Sequence, residues 1–358
     1  METSPVQFRL REPDTLGGGM SEILVTGGSG YIGSWCTLAL LNAGYPVCTT
    51  VRNLSREPQV REMLRRGGTD PGDNLRVVRA DLRNDEGWAE AVAGCDGILH
   101  VASPTLTQAP KNDDEMVRPA VDGTLRVLRA ARDGGVRRVV LTSAIGAIAY
   151  GHEQRDTPFT EQDWTNIDAD GIQPYQKSKT LAERAAWDFV NEEGGGLELA
   201  VVNPTGVLGP VLSSDYSPSL IAIARMLDGS MPTLLPFATG YVDVRDVASL
   251  QLLALTEDAA AGERFIATAG HSLWTRDVAA ILHERLGERA AKVPTKEMPV
   301  WVARGLAKVN PDMRNLRMLL GRNLDATSAK AERLLGWKTR PIADTIAETA
   351  ESLLALTR

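Results

Sequence analysis

A tyrosine and a lysine four residues apart, Tyr175 and Lys179, are well suited to proton transfer. Side chains at positions i and i+4 of a helix project from the same face, so the phenol and the ammonium group would be neighbours. A tyrosine with a pKa of about 10 is a poor acid or base at neutral pH. A nearby ammonium group favours the phenolate and lowers that pKa. The pair therefore predicts a tyrosine that donates a proton to a carbonyl oxygen, or removes one from an alcohol.

A glycine-rich turn early in the chain indicates a cofactor site. The segment from Thr26 to Gly33 reads TGGSGYIG, follows a predicted strand and opens a predicted helix. Its spaced glycines allow a tight turn, the approach of a pyrophosphate and close packing of the helix on the sheet. The helix N-terminus then offers free N–H groups to phosphate. We predict a dinucleotide site that uses Thr26, Gly27, Gly30, Tyr31, Ile32 and Gly33.

The residue after the second predicted strand indicates which dinucleotide is preferred. An acidic residue there accepts hydrogen bonds from the ribose 2′-OH group. This chain has Arg52 instead, and a guanidinium group can pair with a 2′-phosphate. NADP(H) is therefore favoured over NAD(H), and a solvated surface arginine is the alternative. Asp81 and Leu82, after the third strand, are expected near the adenine, with a helix cap as a compatible role for Asp81.

These residues need a scaffold, and the sequence predicts one from short β-branched runs that alternate with amphipathic stretches. Strands are expected at 23–26, 46–51, 76–79, 97–101, 138–142 and 197–202, and helices at 31–42, 113–133 and 175–191. This rhythm predicts an α/β fold, a Rossmann-type doubly wound parallel sheet with a smaller, mainly helical C-terminal lobe. We expect a flexible tail at 1–20, an NADP-binding domain at 21–205 joined by 240–270, and a substrate lobe at 206–239 and 271–358.

The composition argues against several functional classes. The chain has 358 residues, of which 43% are hydrophobic and 24% charged, as in ordinary globular proteins. A net charge of −7 gives no general attraction to nucleic acids or anionic membranes, and no run reaches the ~18 apolar residues of a membrane span. The three cysteines and four histidines lack metal-ligand spacing. We expect no metal, no nucleic-acid or membrane partner, and a cytoplasmic location.

Taken together, the motifs resemble the extended short-chain dehydrogenase/reductase superfamily. Within it, they are similar to the branch of dihydroflavonol 4-reductase, cinnamoyl-CoA reductase and microbial aldehyde or ketone reductases. The resemblance covers about residues 23–356, through the glycine turn, Thr50–Arg52, His100–Pro104, Tyr175 with Lys179, Asn203–Pro204, Gly209–Pro210, 242–248 and Leu335–Trp337.

The resemblance implies an NADPH-dependent reductase that acts on a small-molecule carbonyl or alcohol. It implies that Arg52 holds the 2′-phosphate, that Pro204 covers the nicotinamide, and that Val101, Ala102 and Ser103 flank the nicotinamide ribose. Lys179 is expected to bind that ribose as well as to assist Tyr175.

The chain departs from the family pattern after the fifth strand. Relatives carry Thr-Ser-Ser there, and the last serine binds the substrate carbonyl, whereas this chain has Thr142-Ser143-Ala144. Alternation along the strand would leave Thr142 rather than Ser143 on the side of Ala144. Because the strand ends here, we favour Ser143 as the hydroxyl and take Thr142 as second. The substrate pocket is expected to include Ser103, Thr105, Ala144, Ala149, Tyr150 and Gly206. Ala149 stands where plant flavonoid reductases use an asparagine, which favours a more apolar pocket.

Two other functions stay open at this point. An epimerase, a dehydratase or a hydroxysteroid dehydrogenase would use the same fold, although Arg52 argues against the tightly held NAD of epimerases. A non-catalytic NADP-binding sensor is favoured mildly by Ala144, while Tyr175 and Lys179 argue against it. We expect a monomer or a homodimer, with the helices at 113–133 and 175–191 as the candidate dimer face.

Overall fold

The computed structural model describes residues 21–104, 112–213, 218–314 and 316–356. The predicted tail at 1–20 and the predicted pocket residue Thr105 lie outside these ranges. The strands are β1 (Glu22–Thr26), β2 (Val47–Val51), β3 (Leu75–Arg79), β4 (Cys95–His100), β5 (Arg138–Thr142), β6 (Glu198–Pro204), β7 (Gly206–Leu208), β8 (Ala238–Thr239), β9 (Tyr241–Asp243), β10 (Arg264–Ala267), β11 (Leu273–Trp274) and β12 (Asn323–Leu324). The helices are α1 (Tyr31–Asn42), α2 (Glu57–Arg66), α3 (Trp88–Val92), α4 (Asp114–Asp133), α5 (Pro174–Glu193), α6 (Pro218–Asp228), α7 (Val244–Thr256), α8 (Thr275–Leu286), α9 (Val300–Leu306), α10 (Pro311–Arg314), α11 (Ala329–Leu335) and α12 (Ile342–Leu356).

Seven of the strands form one parallel sheet in the order β3-β2-β1-β4-β5-β6-β10. The chain direction across the sheet reverses between β1 and β4. In open α/β sheets, the crevice outside the carboxyl ends of the strands at such a reversal is where ligands bind. The predicted Rossmann-type doubly wound fold is confirmed.

Helices cover both faces of this sheet, and its central strands are accordingly buried over most of their length. α1 packs against α7 on one face, and α4 packs against α5 on the other. Successive side chains of a strand alternate between these two layers. Val140 of β5 joins the core that contains α1 and α7 residues, whereas Leu141 joins the core that contains α4 and α5 residues.

The C-terminal part adds a smaller lobe and returns once to the main sheet. Helices α6, α8 and α12 share an apolar core, and β11, β8 and β12 form a three-stranded sheet. α7 begins where Asp243 caps the backbone N–H of Arg245 at 2.8 Å. β10 then pairs with β6 at the edge of the main sheet.

Three further observations concern the described ranges alone. The helices found there all lack the combination of length and apolar character needed to cross a membrane. No group of three or more His, Cys, Asp or Glu side chains lies close enough in these ranges to hold a metal ion. Cys36, Cys48 and Cys95 are buried and unpaired.

Candidate active site

Close backbone contacts shape the glycine turn. Gly27 has a φ of 74°, which L side chains rarely adopt. A Cβ added at Gly33 would stand 2.3 Å from the Gly27 oxygen, and one at Gly28 would stand 2.0 Å from Thr49 Oγ1. Gly30 is less crowded but still tight, since an added Cβ would meet the Gly27 oxygen at 3.3 Å. Gly28, which was not among the predicted site residues, has the tightest approach of the four.

The N-terminus of α1 fits an anionic ligand. Its N-cap, Gly30, has no side-chain cap, and the first turn contains no acidic residue. The first backbone N–H groups of a helix have no partner within it, and the helix dipole favours negative charge there. The N–H groups of Tyr31, Ile32 and Gly33 therefore suit the pyrophosphate of a dinucleotide.

The side chain of Tyr31 has a structural role, separate from the proposed phosphate contact of its backbone N–H group. Its hydroxyl donates a hydrogen bond to the Gly209 carbonyl oxygen at 2.9 Å. Burial, followed by the charge of Asp243, raises the pKa of Tyr31 well above its usual value. The tyrosine therefore holds the segment at Gly209 against the glycine turn as a neutral phenol.

Arg52 directly follows β2, as predicted, and its side chain is exposed. It makes no hydrogen bond or ion pair within the part of the chain that the structure describes. The guanidinium group is therefore available to a ligand phosphate.

The Asp81 carboxylate forms an ion pair with a neighbouring arginine. Arg83 Nη2 lies 2.6 Å from its carboxylate, and this contact, with a smaller effect of Arg52, holds the pKa of Asp81 below its usual value. Asp81 also accepts the Arg83 backbone N–H at 3.0 Å. The compatible helix-cap role was wrong, because the N-cap of α3 is Gly87. Leu82 is buried.

Thr26 joins the glycine turn to the segment after β4. Its Oγ1 accepts hydrogen bonds from the N–H groups of Val101 at 3.0 Å and Ala102 at 2.9 Å, and lies 2.9 Å from His100 Nδ1. Burial, followed by the charge of Lys179, lowers the pKa of His100 to about 3, so the imidazole is neutral. With two N–H donors already on Oγ1, the Thr26 proton is donated to Nδ1.

A small cavity of about 20 Å³ lies beside this segment. Ala102, Ser103 and Pro104 line one side, and Ser143 and Lys179 line another. The Ser143 hydroxyl is buried and has no hydrogen-bond partner among the described residues. Buried hydroxyl groups are normally paired, so this one marks a place for a polar ligand atom.

Thr142 directs its side chain to the other face of the sheet. Its Oγ1 accepts a hydrogen bond from Gln251 Nε2 of α7 at 2.6 Å. Thr142 thus lies on the side of Val140, while α5 packs on the opposite face. Thr142 and Ser143 both border the cavity with Lys179 of α5, whereas Tyr175 does not. Because the Thr142 hydroxyl is bonded to Gln251 and the Ser143 hydroxyl has no partner among the described residues, the geometry favours Ser143 over Thr142 as the free hydroxyl near Lys179.

Tyr175 and Lys179 lie in the first two turns of α5. The Tyr175 ring covers Gly146, where an added Cβ would stand 3.4 Å from Cε1. Tyr175 is 47% exposed. Lys179 Nζ donates a hydrogen bond to the Thr142 carbonyl oxygen at 3.2 Å.

The pKa values of this pair correct one prediction. Burial among protein atoms, followed by Tyr150, raises the pKa of Tyr175 to about 12, so the predicted lowering by Lys179 is not found. Because 47% of the residue is exposed, solvent moderates this rise but not its direction. Burial lowers the pKa of Lys179 to about 8, and Glu183 opposes that shift. A phenol with a raised pKa stays protonated at neutral pH and is a weaker acid than a free tyrosine.

A buried network beneath Lys179 was missed by the sequence analysis. Glu183 is fully buried, and its carboxylate accepts hydrogen bonds from Arg264 Nε at 2.5 Å and from Asn203 Nδ2 at 2.8 Å. Asn203 Nδ2 also lies 3.3 Å from the Ala144 carbonyl oxygen. The network thus ties α5 to β6, β10 and the turn that carries Ser143. Glu183 follows Lys179 by four residues, a spacing that could have identified it.

The other predicted pocket residues are only partly brought together. Burial raises the pKa of Tyr150, and the Gln176 side chain, next to Tyr175, opposes that rise. Ala149 is 1% exposed and packs in an apolar cluster that is separate from the two cores of the main sheet. Gly206 lies in β7, where an added Cβ would stand 2.8 Å from the Tyr241 ring. Ala149 and Gly206 do not line the cavity of Ser143, whereas Pro204 ends β6 nearby as a buried residue.

Solved structures with the same fold include several reductases. One is the yeast methylglyoxal/isovaleraldehyde reductase complexed with NADPH, with a TM-score of 0.75, 24% identity, and coverage of 94% of this chain and 99% of that one. Another is vestitone reductase from Medicago sativa, with a TM-score of 0.71, 23% identity, and coverage of 94% and 99%.

Sequence relatives are more similar still. Dihydroflavonol 4-reductase of Zea mays is 34% identical over 286 residues, which cover 76% of this chain and 77% of that one. Cinnamoyl-CoA reductase 1 of Arabidopsis thaliana is 39% identical over 251 residues, or 68% and 70% of the two chains. The model of the NAD dependent epimerase/dehydratase family matches residues 23–267. The chain therefore belongs to that family, as an oxidoreductase of the extended short-chain dehydrogenase/reductase superfamily.

Proposed function

We propose that this protein is an NADPH-dependent reductase that converts an aldehyde or a ketone to an alcohol, with Tyr175 as the proton donor. The observation that carries the proposal is the cavity where the unpaired hydroxyl of Ser143 and the ammonium group of Lys179 meet the segment of Ala102 and Ser103. Both groups lie at the carboxyl edge of the sheet, beside the strand reversal where ligands bind in this fold.

The glycine turn and its surroundings supply the cofactor contacts in this proposal. The N–H groups at the start of α1 would hold the pyrophosphate, and Arg52 would hold the 2′-phosphate. Val101, Ala102, Ser103 and Lys179 would flank the nicotinamide ribose, and Pro204 would cover the nicotinamide. When bound, NADPH supplies a hydride to the carbonyl carbon. The availability of Arg52 supports NADP(H) over NAD(H).

The chain's own residues bind the carbonyl and supply the proton. Ser143 and Tyr175 donate hydrogen bonds to the carbonyl oxygen and orient it. Tyr175 transfers its phenolic proton to that oxygen as the C–O double bond becomes single, and the product is an alcohol. The Lys179 ammonium group stabilises the phenolate that is left, until solvent returns a proton to Tyr175.

The proposal also assigns the parts of the chain. The domain at 21–205, with 240–270, would bind the cofactor, and the lobe at 206–239 and 271–358 would bind the substrate. The reductase names of the relatives and the NADPH in the yeast structure support this activity. The unpaired cysteines Cys36, Cys48 and Cys95 support a reducing compartment such as the cytoplasm.

Turnover measurements test the proposal. The purified protein, supplied with NADPH and a panel of aldehydes and ketones, should oxidise NADPH in proportion to alcohol formed. Tyr175→Phe should lower kcat by about 100-fold or more, because it removes the transferred proton, while the matched variant Tyr45→Phe should retain activity. NADPH binding without turnover on any carbonyl would support a sensor instead, and NAD retained through purification would support an epimerase.

A further inference from the structure

A buried carboxylate lies next to Lys179 on α5. Glu183 follows Lys179 by one helical turn, and side chains at this spacing project from the same face. Both residues line the small cavity that also contains Ser143, and among the described residues of that lining Glu183 alone is acidic. Glu183 has no exposed surface. Inside a protein, a charge near an ammonium group acts more strongly than the same charge at the surface.

Two hydrogen bonds fix the position of this carboxylate. One oxygen accepts from Arg264 Nε of β10 at 2.5 Å, and the other accepts from Asn203 Nδ2 of β6 at 2.8 Å. Donors on both oxygens favour the ionised form of a carboxylate. Glu183 is therefore a negative charge with a fixed location, whereas a solvated side chain could turn away from its neighbours.

Arg264 has partners besides Glu183. Its Nη1 donates to the carbonyl oxygens of Glu161 at 2.8 Å and Asp163 at 3.1 Å. Its guanidinium group also lies over the Trp164 ring, 3.7 Å from the ring centre, and an aromatic face attracts a cation. The charge of Arg264 is therefore stabilised by several groups, which leaves the Glu183 carboxylate attractive to a second cation.

The other groups around Lys179 are uncharged at neutral pH. Burial, followed by the charge of Lys179, lowers the pKa of His100, on β4, to about 3. The Tyr175 phenol stays protonated, because its pKa is raised to about 12. The remaining polar groups are neutral: the Thr142 carbonyl oxygen and the hydroxyls of Ser103, Thr124 and Ser143. Among the described residues that face the ammonium group, Glu183 is therefore the counter-charge.

We propose that Glu183 is a positioning residue for the reduction, whose buried carboxylate keeps the Lys179 ammonium group charged and in place. The inference rests on the proposed reductase function. Burial alone favours the neutral amine of a lysine, whereas a fixed carboxylate favours the ammonium form. Glu183 acts through Lys179 rather than on the substrate, and this role is separate from joining α5 to β6 and β10.

An NMR titration of protein labelled with ¹³C at lysine Cε measures the charge of Lys179 directly. Its signal is the one that disappears in Lys179→Arg, and we expect a midpoint near the pKa of about 8 in the wild type. Glu183→Gln keeps the side-chain shape and removes the charge, so the midpoint should fall by about one pH unit or more. Glu183→Asp retains a carboxylate and should change the midpoint by less than about half a pH unit. The exposed control Glu192→Gln, on the same helix, should match the wild type.

A second variant and the wild type itself keep the test decisive if Glu183→Gln does not fold. Glu183→Gln/Arg264→Met removes both charges, and replacing a whole buried ion pair is often tolerated where breaking it is not. The Lys179 midpoint should fall in this variant as well. In the wild type, the carboxyl ¹³C signal of Glu183 should shift with the midpoint of Lys179, because coupling between two sites is reciprocal.

The pH profile of turnover separates this role from a purely structural one. If the midpoint falls from about 8 to about 7, roughly fivefold fewer molecules carry the ammonium group at pH 8, but nearly all carry it at pH 6. The kcat of the Gln variant that folds should therefore be about fivefold below wild type at pH 8 and approach it at pH 6. An equal loss of kcat at every pH, an unchanged Lys179 midpoint, or a Glu183 signal that does not follow Lys179 would overturn the proposal. The titrations need no turnover, so a lowered midpoint without reduction of any carbonyl supports the link from Glu183 to Lys179 while the reductase proposal fails.

Discussion

The ammonium group of Lys179 lies 3.2 Å from the main-chain oxygen of Thr142, whose side chain points to the opposite face of the sheet and binds Gln251. Because the Thr142 carbonyl holds Lys179 on the α5 side, the next residue along the chain lies beside that ammonium group. Both residues border the cavity with Lys179, but Ser143 is the one whose hydroxyl has no partner among the described residues. The contact between Lys179 and Thr142 thus distinguishes the Thr142 hydroxyl from the Ser143 hydroxyl, although the two residues are adjacent in sequence.

We predict that Ser143→Ala lowers kcat by about 100-fold without unfolding the protein, because one donor to the carbonyl oxygen is lost. Thr142→Val should act mainly on stability, lowering the free energy of unfolding by about 1–3 kcal/mol as Gln251 loses a buried partner. Steady-state kinetics and chemical denaturation of both variants measure the two effects. A larger loss of kcat in Thr142→Val than in Ser143→Ala would reverse the assignment.

The pH dependence of turnover should follow Lys179. Burial lowers its pKa to about 8, so the ammonium form dominates at neutral pH and is lost as the pH rises through that value. We predict that kcat falls across this range. Lys179→Arg, which stays charged, should move the fall to higher pH even if its maximal rate is lower. The measurement is a kcat–pH profile of both proteins, and identical profiles would exclude Lys179 as the titrating group.

Glu183→Gln should destabilise the fold strongly. The substitution leaves the buried Arg264 guanidinium group without its counter-charge, and breaking a buried ion pair costs about 3–5 kcal/mol. Glu192→Gln, at the exposed end of α5, should change the free energy of unfolding by less than about 0.5 kcal/mol. Urea denaturation of the two variants makes the comparison. Equal stabilities would mean that Glu183 does not hold α5 to the sheet.

Arg52→Glu should change cofactor preference. A carboxylate at this position repels the 2′-phosphate and can accept hydrogen bonds from a ribose 2′-OH group. We expect KM for NADPH to rise by about 10- to 100-fold, with a much smaller change for NADH. Arg66→Gln, an exposed arginine of α2 paired with Glu62, is the control. If the ratio of the KM values for NADPH and NADH is unchanged in Arg52→Glu, Arg52 is a surface residue without a role in cofactor preference.

The main sheet and the Tyr175–Lys179 pair could be predicted from the sequence, because both follow from short-range patterns of residue types. The helix predicted at 175–191 spans Pro174–Glu193 in the structure, and the strand predicted at 138–142 has those bounds. The face of Thr142 could not be predicted, since it depends on which helices pack on each side of β5. The Glu183–Arg264 pair joins residues 81 positions apart. The rise in the Tyr175 pKa likewise depends on the folded structure, through burial and then through Tyr150.

A crystal structure with NADP⁺ and an unreactive substrate analogue tests the central claim most directly. We predict that the analogue's carbonyl oxygen lies within hydrogen-bond distance of both the Tyr175 and the Ser143 hydroxyl groups, next to the nicotinamide ring. An analogue bound through Thr142, or a nicotinamide ring placed away from Tyr175, would contradict the account.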